Sequence, residues 1–237
     1  GVMGAVYKRE MRSYFTSPIG YVVAAVLFAL YGFYYYSVML SGSTYYISTF
    51  VYSNMFIWSM MLLPILTMRV FSEEQKNRTD QALLTAPVGV GSIVLGKFFA
   101  SATIYAIILV GSLIPAIVIG FFSSPNWVLI LGTVIGSFLY GIAILAIGTF
   151  VSSLTQSQIV AAIGTFGISI LLVVIDQLTS IISNQVVVQV LNWLSFNSRY
   201  TPFTTGTFHI ASIVFFLSVA AVFLFLTARK LESRRWS

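Results

Sequence analysis

The carboxylates and amines that could do chemistry are concentrated in one polar segment, residues 69–97. This segment reads RVFSEEQKNRTDQALLTAPVGVGSIVLGK and holds seven of the eighteen charged residues of the chain. Adjacent carboxylates such as Glu73 and Glu74 can ligate a metal ion or act as general acid and base. Both roles need further groups, and no histidine or third ligand lies near them. The pattern therefore favours a charged surface over a catalytic or metal site.

A second chemical candidate runs from Gly91 to Lys97, which has the spacing G-x-x-x-x-G-K of a phosphate-binding loop. Phe98 follows, where such a loop needs a serine or threonine to ligate magnesium. No strand is predicted before this stretch, and a hydrophobic run follows it. We therefore expect no nucleotide site here, and we expect Lys97 to extend its amine to the lipid headgroups.

The composition predicts the elements that position these residues. Of the 237 residues, 58% are hydrophobic and 8% are charged, whereas a soluble domain has about 25% charged residues. The fold class is therefore an all-α membrane protein, because a backbone in lipid must satisfy its own hydrogen bonds. With no cysteine, the chain has no disulfide and no thiolate site. The net charge of +6 comes from cations at the ends of membrane spans, so we expect no nucleic-acid partner.

Six hydrophobic runs approach or exceed the roughly 17 residues that cross a bilayer. An even number of spans puts both termini on one side of the membrane. Eleven of the twelve lysines and arginines fall on that side, and Arg199 falls on the other. The positive-inside rule makes the first side cytoplasmic. We expect a single transmembrane domain, residues 1–237, in the inner or plasma membrane, with spans at about 19–40, 50–68, 94–121, 127–151, 159–175 and 210–226.

Residues 3–16 predict an amphipathic helix that lies in the membrane interface, with basic residues opposite an apolar face. Glu10 interrupts the apolar face. Pro18 ends this helix, because proline disfavours the helical state of the residue before it. Farther along, residues 186–194 are too short to span and too apolar for an ordinary loop. They predict either an interfacial or re-entrant element or a surface loop, and the sequence leaves both open.

Two short helices are predicted inside the polar segment. Ser72 and Gln75 fit a capping box, with two acidic residues in the first helical turn, where the helix dipole favours anions. Thr79 and Asp80 predict the start of a second helix, which Pro87 ends. Its apolar face amid polar neighbours suits insertion into a cleft on a cytoplasmic partner. That face consists of Leu83 and Leu84.

Residues 73–97 resemble the membrane subunit of an ABC exporter of the ABC-2 type. That family often carries E-E-x-x-x-G-T-x-E-x-L-L-x-x-P, followed shortly by G-K. Arg78 and Gln81 stand where the family often has glycine and glutamate. The opening YKREMRSYFTSPIGY and the tail RKLESRRW are similar to the elbow helix and the usual ending of the family, and the gliding-motility-associated and multidrug-type branches are nearest. The matching residues are Glu73, Glu74, Thr79, Leu83, Leu84, Pro87, Gly96 and Lys97.

The resemblance implies a permease that hydrolyses no ATP itself. It implies a second permease chain as a partner, in a homodimer or heterodimer, and cytoplasmic ABC ATPase subunits that bind ATP and magnesium. The segment after the second span would be the coupling helix, and the elbow helix would also touch the ATPase. The ATPase-docking residues that the resemblance implies are Arg9, Arg12, Glu73, Glu74, Thr79, Leu83 and Leu84.

Two other functions stay open on the sequence alone. One is a membrane anchor or scaffold that recruits a soluble partner and transports nothing. The other is a secondary carrier or channel, which the absence of an ionisable residue in mid-span disfavours. Seven tyrosines at the outer ends of the first two spans are expected at the membrane interface. They are Tyr31, Tyr34, Tyr35, Tyr36, Tyr45, Tyr46 and Tyr52.

Overall fold

A computed structural model of the chain describes residues 1–44 and 46–236, except for the side chain of Leu83. Within these residues the chain forms helices and no strand. Six helical stretches are long and apolar enough to cross a membrane, which confirms the predicted fold class. They are α2 (Pro18–Ser41), α3 (Ser53–Thr67) behind a π-helical turn (Ile47–Tyr52), α6 (Val90–Gly111) continued by α7 (Ile114–Gly120), α8 (Trp127–Ser153), α9 (Gln158–Thr179) and α12 (Ile210–Arg235).

Shorter helices flank the spans at both ends of the bundle. One end carries α1 (Val2–Thr16), α4 (Ser72–Lys76) and α5 (Asp80–Thr85), and the opposite end carries α10 (Gln185–Leu194) and α11 (Phe196–Thr204). Both chain termini lie at the first end, because α1 and the end of α12 contact the polar segment there. Residues 186–194 lie within α10, so they form a helix and not the surface loop that the sequence left open as one of two possibilities.

Polar residues in the connections mark where helices begin. Ser17 accepts a hydrogen bond from the N–H of Ile19, and Pro18 occupies the first turn of α2, so that α1 ends at Thr16 as predicted. Side chains that accept from the first helical turn recur farther along the chain. They are Asn126 for α8, Ser157 for α9, Asn184 for α10 and Ser195 for α11.

Two spans have other bounds than the sequence predicts, and the two prolines that the sequence expects to kink their spans, Pro64 and Pro115, behave differently. The span predicted at 94–121 begins earlier and is broken near Leu113, and Pro115 sits in the first turn of α7, where its missing N–H needs no partner. Pro64, by contrast, lies inside α3 without ending it. The last helix continues beyond residue 226 to Arg235 and so carries the tail back to the polar segment.

Helix α8 occupies the centre of the bundle and is buried on nearly all sides between residues 139 and 149. It packs against α3, α6, α11 and α12. The ring of Tyr105 lies directly over Gly141, where a methyl group would collide with it. Small residues permit such close approach of helices in a membrane, where dispersion and hydrogen bonds drive association.

Buried tyrosines supply the polar groups of this core. Tyr52 lies between two partners, accepting from the hydroxyl of Tyr35 at 3.0 Å and pairing with Ser112 Oγ at 3.0 Å. The hydroxyl of Tyr200 pairs with Ser137 Oγ at 2.8 Å. The rings of Tyr52 and Tyr200 thus fill apolar space while their hydroxyls find partners. The fully buried tyrosines are Tyr31, Tyr35, Tyr52, Tyr105, Tyr140 and Tyr200.

The expected band of interfacial tyrosines is therefore only partly present. Tyr31, Tyr35 and Tyr52 face the core, because they fall on the sides of their helices that pack against neighbouring spans. Tyr36 and Tyr46 are exposed as expected. Tyr34 is partly buried, and the member of the group at position 45 lies outside the described residues.

Candidate functional site

Helix α1 is fixed to the start of α6 by a close contact at Gly96. A Cβ atom at position 96 would lie 3.0 Å from the side chain of Val6 and 3.0 Å from the carbonyl oxygen of Met3. Glycine therefore allows the two helix backbones to approach each other. Val6 is buried in this contact, so the apolar face of α1 packs on protein.

Two tyrosines of α1 reach the spans with their hydroxyl groups. Tyr7 Oη lies 2.9 Å from Thr103 Oγ1 of α6, and Tyr14 donates to the carbonyl oxygen of Leu66 of α3 at 2.7 Å. Burial, and after it the nearby charge of Glu10, raises the pKa of the Tyr14 phenol, so this hydroxyl stays a donor. The helix is therefore held against both α3 and α6.

Lys97 lies at the centre of this end of the molecule. Its side chain is 1% exposed, and Nζ lies 2.8 Å from Glu10 Oε1 and 2.9 Å from Glu74 Oε1. The third ammonium proton is donated to the carbonyl oxygen of Val70 at 2.9 Å. The expectation that Lys97 reaches the lipid headgroups is wrong, because three protein acceptors satisfy all its donors.

Arg9 completes what we call the ionic cluster, which consists of Arg9, Glu10, Glu74 and Lys97. Arg9 Nη2 lies 2.9 Å from Glu74 Oε1 and 3.3 Å from Glu10 Oε1. The side chains of Glu10 and Glu74 are only 14% and 17% exposed, so the cluster is largely shielded from water. Two cations balance two carboxylates, and they join α1, α4 and α6.

A cleft of about 320 Å³ opens beside the ionic cluster, between α1 and the polar segment. Arg69 crosses it, donating to Ser13 Oγ at 3.2 Å and lying 3.6 Å from Glu73 Oε2. Among the described residues, no group of three histidine, aspartate or glutamate side chains is arranged to hold a metal ion. Residues 91–97 are helical, so their N–H groups do not form a phosphate-binding loop.

The end of α8 holds the start of the polar segment. Ser152 Oγ accepts hydrogen bonds from the N–H groups of Phe71 at 3.0 Å and Ser72 at 3.1 Å. The Gln75 amide donates to the carbonyl oxygen of Ser153 at 2.9 Å. The predicted capping box is therefore wrong, because a serine from another span supplies the cap and Gln75 turns towards α8.

The C-terminal tail holds the other end of the segment. Arg235 donates from Nε to the carbonyl oxygen of Leu84 at 2.8 Å and from Nη2 to that of Val88 at 2.9 Å. Arg234 donates to a carbonyl oxygen at the end of α8 at 2.6 Å. The side chain of Leu84 is partly buried against a small apolar cluster that includes Leu231. Both termini and α8 thus support one surface.

Nearly the whole chain also matches a known family. The family model described as ABC-2 family transporter protein covers residues 4–234. The chain belongs to this family. The match confirms the resemblance inferred from the motifs and, together with the six apolar helices, makes this a multi-pass membrane component of an ABC transporter. No curated protein matches the chain.

Membership of the ABC-2 family gives meaning to the backbone at Arg78. This residue, between α4 and α5, has φ +58°, in the left-handed region. Glycine is the usual residue at that position after a helix end, because a Cβ atom is strained there. Arg78 stands where the motif described in the sequence analysis often has glycine, so this chain adopts the left-handed conformation with a residue that has a Cβ atom.

The docking residues that the sequence predicts for this ABC-2 protein differ in exposure. Glu74 and Leu84 face their own chain, and Arg9 is half exposed at the rim of the ionic cluster. The side chain of Leu83 lies outside the part that the structure describes. Arg12 and Thr79 are exposed, and 45% of the Glu73 side chain is exposed, so these three residues face outwards.

Sequence reasoning missed the residues that hold this surface together. Ser152 and Arg235 are far from the segment in the chain, and nothing in their local pattern marks them. Lys97 precedes an apolar run, which is the usual place of a membrane-end cation. One signal was available, since Glu10 lies on the apolar face of α1 and a buried acid there requires a buried cation.

Proposed function

We propose that this chain is the permease subunit of an ATP-binding cassette exporter, forming the translocation pathway as a dimer with a second permease chain. Separate cytoplasmic ATPase subunits would bind ATP and magnesium and hydrolyse the nucleotide. The observation that carries this proposal is the family match over residues 4–234.

The proposed orientation places both termini in the cytoplasm, in the inner or plasma membrane. Eleven of the twelve cationic residues belong to the end of the bundle that carries α1, α4 and α5, and Arg199 belongs to the opposite end. The positive-inside rule supports a cytoplasmic position for the first end. The polar segment would then face the compartment in which ABC ATPases work.

The contacts of the polar segment support a coupling role. The ionic cluster fixes α4 to α1, and Ser152 fixes the start of α4 to α8 at the centre of the bundle. A push on the outward-facing Glu73 and Arg12 would therefore reach α8 through hydrogen bonds and ion pairs without passing through a flexible loop. We propose these outward residues, with Thr79, as contacts of the ATPase.

Co-purification tests the proposal. Solubilised in mild detergent from its native membranes, the wild-type chain should bring along an ABC ATPase at nearly equal amount. Charge reversal by Glu73→Lys or by Arg12→Glu should reduce that recovery about fivefold, because each reversal weakens binding by about 1 kcal/mol. Ser124→Lys, an exposed change at the opposite end of the bundle, serves as the matched control.

Each result has a defined meaning. Full ATPase recovery with both reversals would remove these residues from the docking surface. Recovery of the chain alone, repeated under crosslinking, would refute the coupled exporter. ATPase that binds but is never stimulated by any solute would favour the anchor over the transporter. Leu84→Asp is unsuitable for this purpose, because Leu84 packs against its own chain.

A further inference from the structure

An apolar groove runs along the surface of the bundle between α9 and α12. It has a volume of about 650 Å³ and is bordered at the end opposite the chain termini by α10 and α11. Its walls are almost entirely hydrocarbon, with Leu172 of α9, Trp193 of α10 and Val222 of α12 among them. None of the residues that line the groove is among the proposed docking residues.

The length of the groove along the helix axes is close to the thickness of one bilayer leaflet. On α12 its wall extends from Ala211 to Phe223, which is about 18 Å at 1.5 Å per residue. Half of the hydrocarbon core of a bilayer measures about 15 Å. The groove therefore begins at the bilayer surface opposite the termini and ends near the midplane.

Arg199 lies at the mouth of the groove. Its Nε donates to the carbonyl oxygen of Trp193 at 2.8 Å, and its guanidinium carbon lies 4.2 Å from the ring centroid of Phe215. Burial lowers the pKa of Arg199, which is the cost of placing a cation against apolar side chains. Within the described part of the chain, no carboxylate forms an ion pair with it.

The acidic residues of the chain either make other contacts at this end or belong to the opposite end of the bundle. Asp176 is the acidic residue at this end, and its Oδ1 accepts hydrogen bonds from the hydroxyls of Ser195 and Ser198. The other five acids belong to α1, the polar segment and the tail. A second copy of this chain could offer the groove, at this end, only an Asp176 that already accepts two hydrogen bonds within its own chain, so an anion from another molecule is the better match for Arg199.

We propose that the groove binds one acyl chain of an anionic phospholipid from the adjoining leaflet, with the lipid phosphate on the outer edge of the Arg199 guanidinium. The apolar walls match the acyl chain, and the half-buried cation matches the headgroup, to which guanidinium groups bind in bidentate fashion. This site is independent of ATPase docking, because it lies at the opposite end of the bundle.

Trp193 makes the groove observable by fluorescence. Replacing the other three tryptophans by phenylalanine (Trp58, Trp127 and Trp236) leaves Trp193 as the single indole. The single-tryptophan chain is reconstituted in phosphatidylcholine nanodiscs that contain either brominated phosphatidylglycerol or brominated phosphatidylcholine, since bromine quenches an adjacent indole. At equal mole fraction we expect the anionic lipid to be preferred about fivefold, the size of a half-exposed ion pair.

Variants at position 199 then identify the headgroup contact. Arg199→Gln should reduce the ratio of quenching by the anionic lipid to quenching by phosphatidylcholine to one. Arg199→Lys should keep this ratio above one, because lysine retains the charge but loses the bidentate geometry. Arg229→Gln, at the other end of α12, should leave it unchanged. The ratio of the two lipids within each variant is the readout, so a change in Trp193 emission itself does not affect it. Added salt should weaken the preference of the wild-type side chain.

Four outcomes would overturn the proposal. Equal quenching by both lipids in the single-tryptophan protein that keeps Arg199 would show that no headgroup is recognised. A preference for the anionic lipid that persists in a correctly folded Arg199→Gln variant would place the selection elsewhere. A preference lost in Arg199→Lys as completely as in Arg199→Gln would show that the loss comes from disturbed packing at position 199 and not from removal of its charge. Absence of quenching by either lipid, with disulfide dimers of a Ser218→Cys variant, would show that a second copy of the chain occupies the groove.

Discussion

Replacing Lys97 by methionine removes the cation on which the ionic cluster depends. Methionine preserves the length of the side chain but leaves Glu10 and Glu74 facing each other, with 14% and 17% of their side chains exposed. Removing one partner of a buried ion pair costs about 3–5 kcal/mol. Because Arg9 remains beside both carboxylates, we expect the lower end of that range, about 3 kcal/mol.

Thermal unfolding in detergent, followed by size-exclusion chromatography with fluorescence detection, measures this loss. For a chain of this size 1 kcal/mol corresponds to about 2–4 °C, so Lys97→Met should lower Tm by about 6–12 °C. Adding Glu10→Gln and Glu74→Gln should restore most of the loss, since the uncompensated charges disappear. Lys8→Met, an exposed change on α1, is the control and should leave Tm within about 2 °C.

Two results would refute this reasoning. Equal Tm values for Lys97→Met and Lys8→Met would show that the ionic cluster contributes nothing to stability. A triple variant less stable than Lys97→Met alone would show that the two carboxylates act independently of the lysine. The first result would also remove the support for the ionic cluster fixing α4 to α1.

Three further substitutions test other parts of the structure by the same Tm measurement. Ser152→Ala should lower stability by about 1–3 kcal/mol, because two N–H groups at the start of α4 lose their acceptor; an unchanged Tm would contradict this cap. Arg78→Gly should raise it by about 1 kcal/mol through relief of the left-handed backbone, and a lower Tm would show that the arginine side chain matters more than φ. Gly141→Ala should destabilise the chain by about 1–3 kcal/mol, since Tyr105 must move, whereas Gly167→Ala, which meets open space, should not; equal effects would contradict the packing.

The helical framework was largely predictable from the sequence. Continuous apolar runs set the six spans, and proline and serine set the boundary between α1 and α2. The errors occurred where a tertiary contact replaced a local one. Ser72 matched a local cap, yet Ser152 supplies the acceptor from a span 80 positions away. Periodicity along a single helix cannot contain that information.

The position of the polar segment could be predicted from the sequence, but the contacts of its side chains could not. The density of charge in residues 69–97 predicts that this segment lies at one end of the bundle, because charges collect where a membrane chain meets water. It could not distinguish cations that face water from one that is 1% exposed, such as Lys97. Likewise, the tyrosines of α2 carry no sign of facing neighbouring helices, since the hydrophobicity of that span is nearly uniform around its axis.

The ionic cluster also bears on how the chain is assembled during synthesis. Its four members, Arg9, Glu10, Glu74 and Lys97, all lie within the first 97 residues, so they can pair while the second half of the chain is still on the ribosome. The cap from Ser152 must wait until α8 is complete. Biogenesis can therefore proceed in two stages, in which charge pairing first aligns the leading three spans and α8 later locks the finished segment in place.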